Sequence, residues 1–239
     1  MSVTPKEQLY VGKAKTMYAT DDPELLIADF RNDTSAFDGV KKAKLDDKGY
    51  VNNQISAFIM EHLAANGVPT HFVEKLSPQQ CVVRRLTMIP VESVVRNVAA
   101  GSLCRRLGIQ AERELAPPLF ELFLKNDELH DPMINREHAI IFGWATAQQL
   151  DQMRELALRI NQLLKALLAA AGLILVDSKY EFGIASDGTM CLGDEISPDS
   201  CRIWDAKTRT VLDKDRFRQD MGNVIESYKE IAQRLGIQL

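Results

Sequence analysis

The stretch Leu173–Asp205, LILVDSKYEFGIASDGTMCLGDEISPDSCRIWD, decides how this chain is read. Its first four residues, Leu173–Val176, are a short apolar run suited to a buried strand. Asp177, Lys179 and Glu181 follow at a spacing of two, so on an extended strand they share one face. Asp187-Gly188, inside Ser186–Thr189, is a pair favoured in two-residue hairpin loops. Pairing outward from Ser186 with Thr189 predicts Glu181 directly opposite Asp194. Carboxylates facing each other across a hairpin repel. A hard divalent cation between them removes the conflict, and Mg²⁺ is usually held by one or two carboxylates plus substrate phosphates. Two solvated acids on an exposed face are the alternative. The lysine and third acid on the same face, with Glu195, Asp199, Arg202 and Asp205 close behind, favour the metal site.

Outward from this stretch, composition narrows the classes. The chain has 239 residues, 46% hydrophobic and 26% charged, which fits one large domain or two small lobes around a cleft. With 33 acidic against 29 basic residues the net charge is −4, so wholesale nucleic-acid binding is not indicated and an anionic substrate must meet a local cluster of cations. No apolar run is long enough to span a bilayer, and the N-terminal residues lack the apolar core of a signal peptide. Cys81, Cys104, Cys191 and Cys201 form no C-x-x-C pair and read as reduced thiols of a cytoplasmic protein. His62, His71, His130 and His138 show no metal-ligand spacing and read as structural or solvated.

The alternating pattern predicts an N-terminal hairpin, Leu9–Thr20 with Leu25–Phe30, turned at Asp21–Glu24. On its first strand Lys13 and Lys15 are expected to point the same way behind Gly12, over phosphates or along a solvated edge. Residues 31–40 read as a loop in which Asp33, Ser35 and Asp38 hold ligand hydroxyls or cap turns. Val51–Asn66 is an amphipathic helix ended by Gly67 and Pro69. Strands are predicted over Thr70–Lys75, Gln80–Leu86 and Ser93–Arg96, with Pro90 at a strand start or edge. Ser102 reads as the N-cap of a short helix to Gly108, and with Arg96 it forms either an anion site or a structural cluster. Ala116–Pro118 is a rigid spacer before the strand Leu119–Leu124, which delivers Lys125. Thr146–Ala171 is the longest helix, its stripe Leu150, Met153, Ala157, Ile160, Leu164, Leu167 and Ala171 being core. A closing helix is predicted over Asp215–Leu235, with Lys214 and Arg218 near its start either facing an anion or, the favoured reading, at a solvated helix end. The whole is α+β: a β-rich N-terminal lobe over 1–88 and a larger mixed α/β lobe over 89–239, with the pocket between them.

Several of these stretches resemble one family. Ile89–Ser102, IPVESVVRNVAAGS, and Val176–Gly183, VDSKYEFG, resemble the two signatures of the SAICAR synthetases of purine biosynthesis. GKAKTMY at 12–18, RNDTSAFDG at 31–39, FLKNDELHDP at 123–132 and GDEISPDSCRIWD at 193–205 are also similar, so the resemblance spans essentially the whole chain. Cys201 stands where a small residue is expected, and Phe37 is bulky for its loop; neither removes a charge. The resemblance implies a fold related to kinases and ATP-grasp enzymes, with ATP in the cleft. It implies Mg²⁺, a homodimer, and joining of L-aspartate to the carboxylate of a carboxyaminoimidazole ribotide (CAIR) at the expense of ATP. On the matching positions it makes Glu181 and Asp194 the metal ligands. Lys13, Ala14, Lys15, Arg84, Leu86, Met88, Glu92 and Lys125 then bind the nucleotide, and Arg96, Ser102, Arg202 and Ser35 the ribotide. Lys179, Asp38 and Asp177 are the catalytic candidates: Lys179 against phosphoryl charge, Asp38 near the incoming amine, Asp177 orienting Lys179 or serving structure. A small-molecule kinase, another ATP-dependent carboxylate–amine ligase, and an inactive nucleotide-binding scaffold are the rival readings.

Overall fold

A computed structural model describes residues 3–36 and 39–239. The N-terminal part is an antiparallel sheet of five strands. These are β1 (Gln8–Val11), β2 (Lys15–Ala19), β3 (Leu25–Phe30), β6 (Phe72–Lys75) and β7 (Gln80–Arg84), in spatial order β1-β2-β3-β7-β6. Between β3 and β6 come a small hairpin, β4 (Asp33–Ala36) with β5 (Lys41–Lys44), and the helix α1 (Lys48–Ala65). The predicted single strand from Leu9 to Thr20 is therefore two strands. Gly12 N–H donates to Lys15 O at 2.8 Å, and Arg31 pins the turn by donating to Gly12 O at 2.7 Å. The turn sends Lys13 and Lys15 to different partners, so they do not share a strand face. Residues 31–40 likewise contain a strand where a loop was expected.

The second sheet has six strands. β8 (Thr87–Val98) and β11 (Leu173–Ile184), each of 12 residues, run antiparallel at its centre. β9 (Glu114–Leu124) and β10 (Met133–Ile134) extend it beyond β8; β12 (Met190–Gly193) and β13 (Cys201–Asp205) both pair with β11. The rigid spacer at 116–118 is absorbed into β9. Pro90 lies inside β8, but beside the bulge between Glu181 and Gly183 of β11, where no ladder donor is required of it.

The helices follow their sequence signals where those are local. α4 (Ala147–Ala170) opens with a capping box: Thr146 Oγ1 accepts from Gln149 N, and Gln149 Oε1 accepts from Thr146 N. Its buried face is Leu150, Met153, Ala157, Ile160, Asn161, Leu164 and Leu168, packed on β8 and β11. Asn161 exchanges side-chain amide hydrogen bonds with Asn97 at 2.8 and 2.9 Å, tying α4 to β8. α1 is buried on nearly all sides, including polar Lys48, Asn52, Asn53 and Gln54. Such a helix belongs between layers rather than on a surface, and it contacts β3, β6, β7, α4 and the last helix.

Two expectations fail at helix ends, and one helix was not anticipated. α2 (Ser102–Leu107) has Gly101, not Ser102, as its N-cap. A helix α3 (Arg136–Ile141) forms behind an Asn135 capping box. The predicted closing helix breaks in two, α5 (Asp215–Arg218) and α6 (Val224–Arg234). Between them Asp220, Gly222 and Asn223 have φ of 56°, 68° and 51°, left-handed values that no α-helix continues through. All four cysteines are free, and no helix among the described residues is long and apolar enough to cross a membrane.

Candidate active site

The hairpin that opens the sequence reading forms with a register one residue from the predicted one. Ile184 pairs with Met190 and Glu181 with Gly193. Ala185 N–H donates to Thr189 O at 2.9 Å, leaving a three-residue loop with Gly188 at φ 84°. Three-residue loops characteristically end on such a left-handed residue. Asp187 closes the loop, accepting from Thr189 N at 2.8 Å and from Arg84 at 2.6 Å. A one-residue slip would normally send Asp194 to the opposite face. Asp194 escapes that fate because its own φ is 54°, which takes it out of the strand. Glu181 and Asp194 therefore do not oppose each other across the ladder, yet both line one cavity. Lys179 Nζ stands 2.7 Å from Glu181 and 4.0 Å from Asp194. Gly193 has no side chain to fill the space opposite Glu181; a Cβ there would lie 3.2 Å from the Met88 methyl.

The cavity, of about 1080 Å³, is lined from β1 to α5. Its cations and acids interleave. Lys15 binds Asp194 and lies 3.8 Å from Glu195. Lys125 contacts Glu181 at 2.6 Å and Glu92 at 3.5 Å, and Lys179 contacts Glu92 at 2.9 Å. Lys13, in the turn, reaches Asp127 at 2.8 Å. Arg84, Leu86 and Met88 line the wall beside β12, and Ala14 and Ser35 line it from the five-stranded sheet and the small hairpin. Asp38 lies outside the described residues.

Burial works against every charge here, so the partners decide. Burial pushes the Lys15 ammonium toward deprotonation, but Asp194 and Glu195 outweigh it and raise its pKa. Burial likewise opposes the Asp194 carboxylate, and Lys15, Lys179 and Lys125 nevertheless hold it well below the usual range. Glu181 goes the other way. Burial and the neighbouring Asp194 raise its pKa despite Lys179 and Lys125. The two acids are thus shifted in opposite directions, as expected when like charges share a site.

A second cluster occupies the same cavity further along β11. Arg96, 3% exposed, donates Nε to Glu121 at 2.6 Å, Nη1 to Asp177 at 2.8 Å and Nη2 to Ser102 Oγ at 3.3 Å. Arg202 donates to Asp177 at 2.9 Å and to Asp215 at 2.7 Å. Asp177 is thus bound to two arginines and does not orient Lys179 by direct contact. Ser102 is bonded to Arg96 but does not itself line the cavity. Gly101 is required here. Its φ and ψ of 58° and −129° suit glycine alone, and a Cβ would fall 2.4 Å from the Arg202 guanidinium.

His71, read as structural or solvated, lines the cavity next to Asp194. Its lone position in the sequence carried no signal; it arrives because its backbone bridges the two sheets, donating to Leu192 O at 2.9 Å and accepting from Arg84 N at 2.6 Å. Burial, helped by Lys15, lowers its pKa from 6.5 to about 4. A depressed histidine contributes stability that is present above pH 6.5 and lost as pH falls toward 4. The His71 contribution to the unfolding free energy, read from urea titrations at each pH, is expected to fall over that window by on the order of 1–3 kcal/mol. His71→Gln should flatten the dependence, and parallel pH profiles for the two proteins would refute the assignment.

Fold and cavity together define an α+β enzyme that gathers polyanionic small molecules around a lysine–carboxylate cluster. The chain belongs to the SAICAR synthetase family: the family model described as SAICAR synthetase matches residues 8–235. The phosphoribosylaminoimidazole-succinocarboxamide synthase of Coxiella burnetii is 62% identical over 239 residues, covering 100% of this chain and 99% of that one. The crystal structure of the Ehrlichia chaffeensis synthase superposes with a TM-score of 0.95 at 42% identity, covering 98% of this chain and 100% of that one. A SAICAR synthetase solved in complex with ADP superposes with a TM-score of 0.92 at 49% identity, covering 95% and 96%.

Proposed function

We propose that this enzyme joins L-aspartate to the carboxylate of CAIR, consuming ATP and releasing SAICAR, ADP and phosphate. The observation that carries the reading is Lys179, whose ammonium is shared by Glu92, Glu181 and Asp194 and which stands on β11 between Asp177, bound to Arg96 and Arg202, and Glu181, bound to Lys125. In this reading the nucleotide phosphates lie against Lys13, Lys15 and Lys125, with adenosine along Arg84, Leu86, Met88 and Glu92. The relative solved with ADP supports a nucleotide in this fold. The ribotide lies toward Arg202, Arg96 and Ser35, with Ser102 acting through its hydrogen bond from Arg96. Arg202 suits it because a planar guanidinium grips carboxylate or phosphate in two places.

The chemistry follows from the electrophile. A carboxylate resists amines; transfer of the γ-phosphoryl group to a carboxylate oxygen gives an acyl phosphate and ADP. Attack by the amine nitrogen on that carbonyl expels phosphate and leaves the amide. Lys179 neutralises charge on the phosphoryl oxygens, and Lys15 and Lys125 hold the phosphates in line. Asp177 holds Arg96 and Arg202 in place. The residues fit a magnesium ion: Glu181 and Asp194 supply hard oxygen ligands, fewer than a protein-only cage needs but the number Mg²⁺ takes beside phosphates. The ion, when bound, would neutralise phosphate charge.

The rest of the reading is architectural. Residues 1–88 form a nucleotide lobe and 89–239 the ribotide lobe, in a kinase- or ATP-grasp-like arrangement, and the protein works as a cytoplasmic homodimer. The reaction is tested by ADP release. Turnover should require both CAIR and L-aspartate, with one amide formed per ADP. Phosphorylation of CAIR without an aspartate product would favour a kinase, and no hydrolysis in any mixture a scaffold.

A further inference from the structure

Asp194 faces the cavity because its backbone turns. It follows Gly193, the last residue of β12, and Gly193 pairs with Glu181. An extended residue 194 would therefore send its carboxylate to the face away from Glu181. At φ 54° it does not, but an L-residue is unfavourable there and stays only where its surroundings hold it. The carboxylate is bound by Lys15. That contact is not the whole hold, because in the ligase reading Lys15 is drawn to phosphate and the carboxylate to a cation. A hold on the backbone itself has to come from another group.

His71 supplies it. Residues 69–71 run parallel beside β12, with Thr70 bridged to Leu192: Leu192 N–H donates to Pro69 O and His71 N–H to Leu192 O, both at 2.9 Å. On the other side the His71 carbonyl accepts from Arg84 N–H at 2.6 Å. Gripped from both sides, the main chain delivers the imidazole to the cavity at the end of β12, where it is hydrogen-bonded to the Asp194 backbone. That bond favours the protonated ring, so the imidazole N–H is the donor and the Asp194 carbonyl the acceptor. Burial and Lys15 outweigh it and keep the ring neutral at pH 7, with one N–H to give. Groups behind metal-binding side chains commonly work in this way, by fixing the orientation of the ligand rather than by touching the ion.

We propose that His71 is a positioning residue: its imidazole N–H holds the Asp194 carbonyl, keeps residue 194 left-handed, and so presents the Asp194 carboxylate to the cation it shares with Glu181. The proposal rests on the reading of those two acids as a magnesium site. It gives His71 a task apart from its share in folding stability. It asks of position 71 only a side-chain N–H at this point, not an ionisable group.

The test uses the full-length protein at pH 8, with ADP binding followed by calorimetry across a range of Mg²⁺ concentrations. His71→Leu, which keeps bulk and loses the donor, should need about 10- to 100-fold more Mg²⁺ for half saturation, the range for losing the outer partner of a metal ligand. Its ADP binding without Mg²⁺ should stay within about threefold of the wild type. His71→Gln, whose side-chain amide retains an N–H, should keep the Mg²⁺ requirement within about threefold of the wild type even where both variants lose stability in urea. A purely structural role would move stability in both variants and the Mg²⁺ requirement in neither. A measurement on the wild type alone stands apart from the folding of either variant. The imidazole nitrogen NMR signals of His71, assigned against His71→Gln, should show a single tautomer with a slowly exchanging ring proton. An unchanged Mg²⁺ requirement in His71→Leu overturns the proposal, as does a His71→Gln as impaired as His71→Leu, or a ring proton in free exchange. If wild-type ADP binding is indifferent to Mg²⁺, the metal reading itself fails, a result distinct from these.

Discussion

Glu181→Gln is expected to fold normally and to lose activity by about 100- to 1000-fold, the range seen when one preorganised charge-stabilising group is removed. The side chain is 5% exposed and accepts from Lys125 at 2.6 Å and Lys179 at 2.7 Å. Folding should survive because both lysines keep Glu92, at 3.5 and 2.9 Å, and Lys125 is exposed enough to turn to solvent. Function should not survive, because the amide keeps the shape but not the charge. Nucleotide binding followed by calorimetry at increasing Mg²⁺ should need more of the ion to reach half saturation, whereas binding without Mg²⁺ should change little. Activity within a few fold of wild type, or an unaltered Mg²⁺ dependence, would remove Glu181 from the metal site.

The hairpin containing Glu181 shows what a sequence can and cannot specify. The strand, the turn and the acids on its face were all legible, since alternation and the Asp187-Gly188 pair are local signals. The loop length was not. Asp-Gly suits two-residue and three-residue loops alike, and Asp187 chooses the longer by bonding Thr189 and Arg84. Arg84 is 103 residues away in the chain, beyond the reach of any local pattern. The predicted facing of Glu181 and Asp194 across the ladder fails, since Glu181 pairs with Gly193; both side chains line one cavity because the backbone at Asp194 is left-handed. Lys13 and Lys15 repeat the lesson. Both reach the cavity, but Lys13 from within a turn pinned by Arg31 and Lys15 from the start of β2. Arg96 and Asp177 carried two open readings, and the structure joins them: they are bonded to each other and lie in the cavity wall. The closing helix was read as one because helix periodicity runs through Asp215–Leu235, and that favoured a solvated end for Lys214 over a place facing an anion; Lys214 and Arg218 instead both line the cavity. The break at 220–223 comes from residues adopting left-handed conformations that their identities allow but do not demand.

Lys48→Met is expected to cost about 3 kcal/mol, the low end of the range for breaking one side of a buried ion pair. Lys48 is the first residue of α1, where the helix macrodipole disfavours a cation. Its place there makes sense only through Asp199: the two side chains are 1% and 5% exposed and 2.7 Å apart. Burial opposes the Asp199 carboxylate, but Lys214, Lys48 and the Tyr228 hydroxyl hold it well below its usual range. A depressed acid contributes stability that is present above the unfolded carboxylate pKa, about 4, and lost as pH falls below it. Removing Lys48 strips one of the two cations, and Lys214, at 3.9 Å, compensates only in part. The loss should therefore be full at pH 7 and shrink in acid, read as a difference in urea midpoint at each pH. Adding Asp199→Asn to Lys48→Met should recover part of the loss, since the stranded charge goes with it. A change below about 1 kcal/mol at pH 7 would mean that Asp199 draws its support from Lys214 and Tyr228 alone. The segment from Asp194 to Asp199 would then be held by the cavity's own cations rather than anchored from behind by α1.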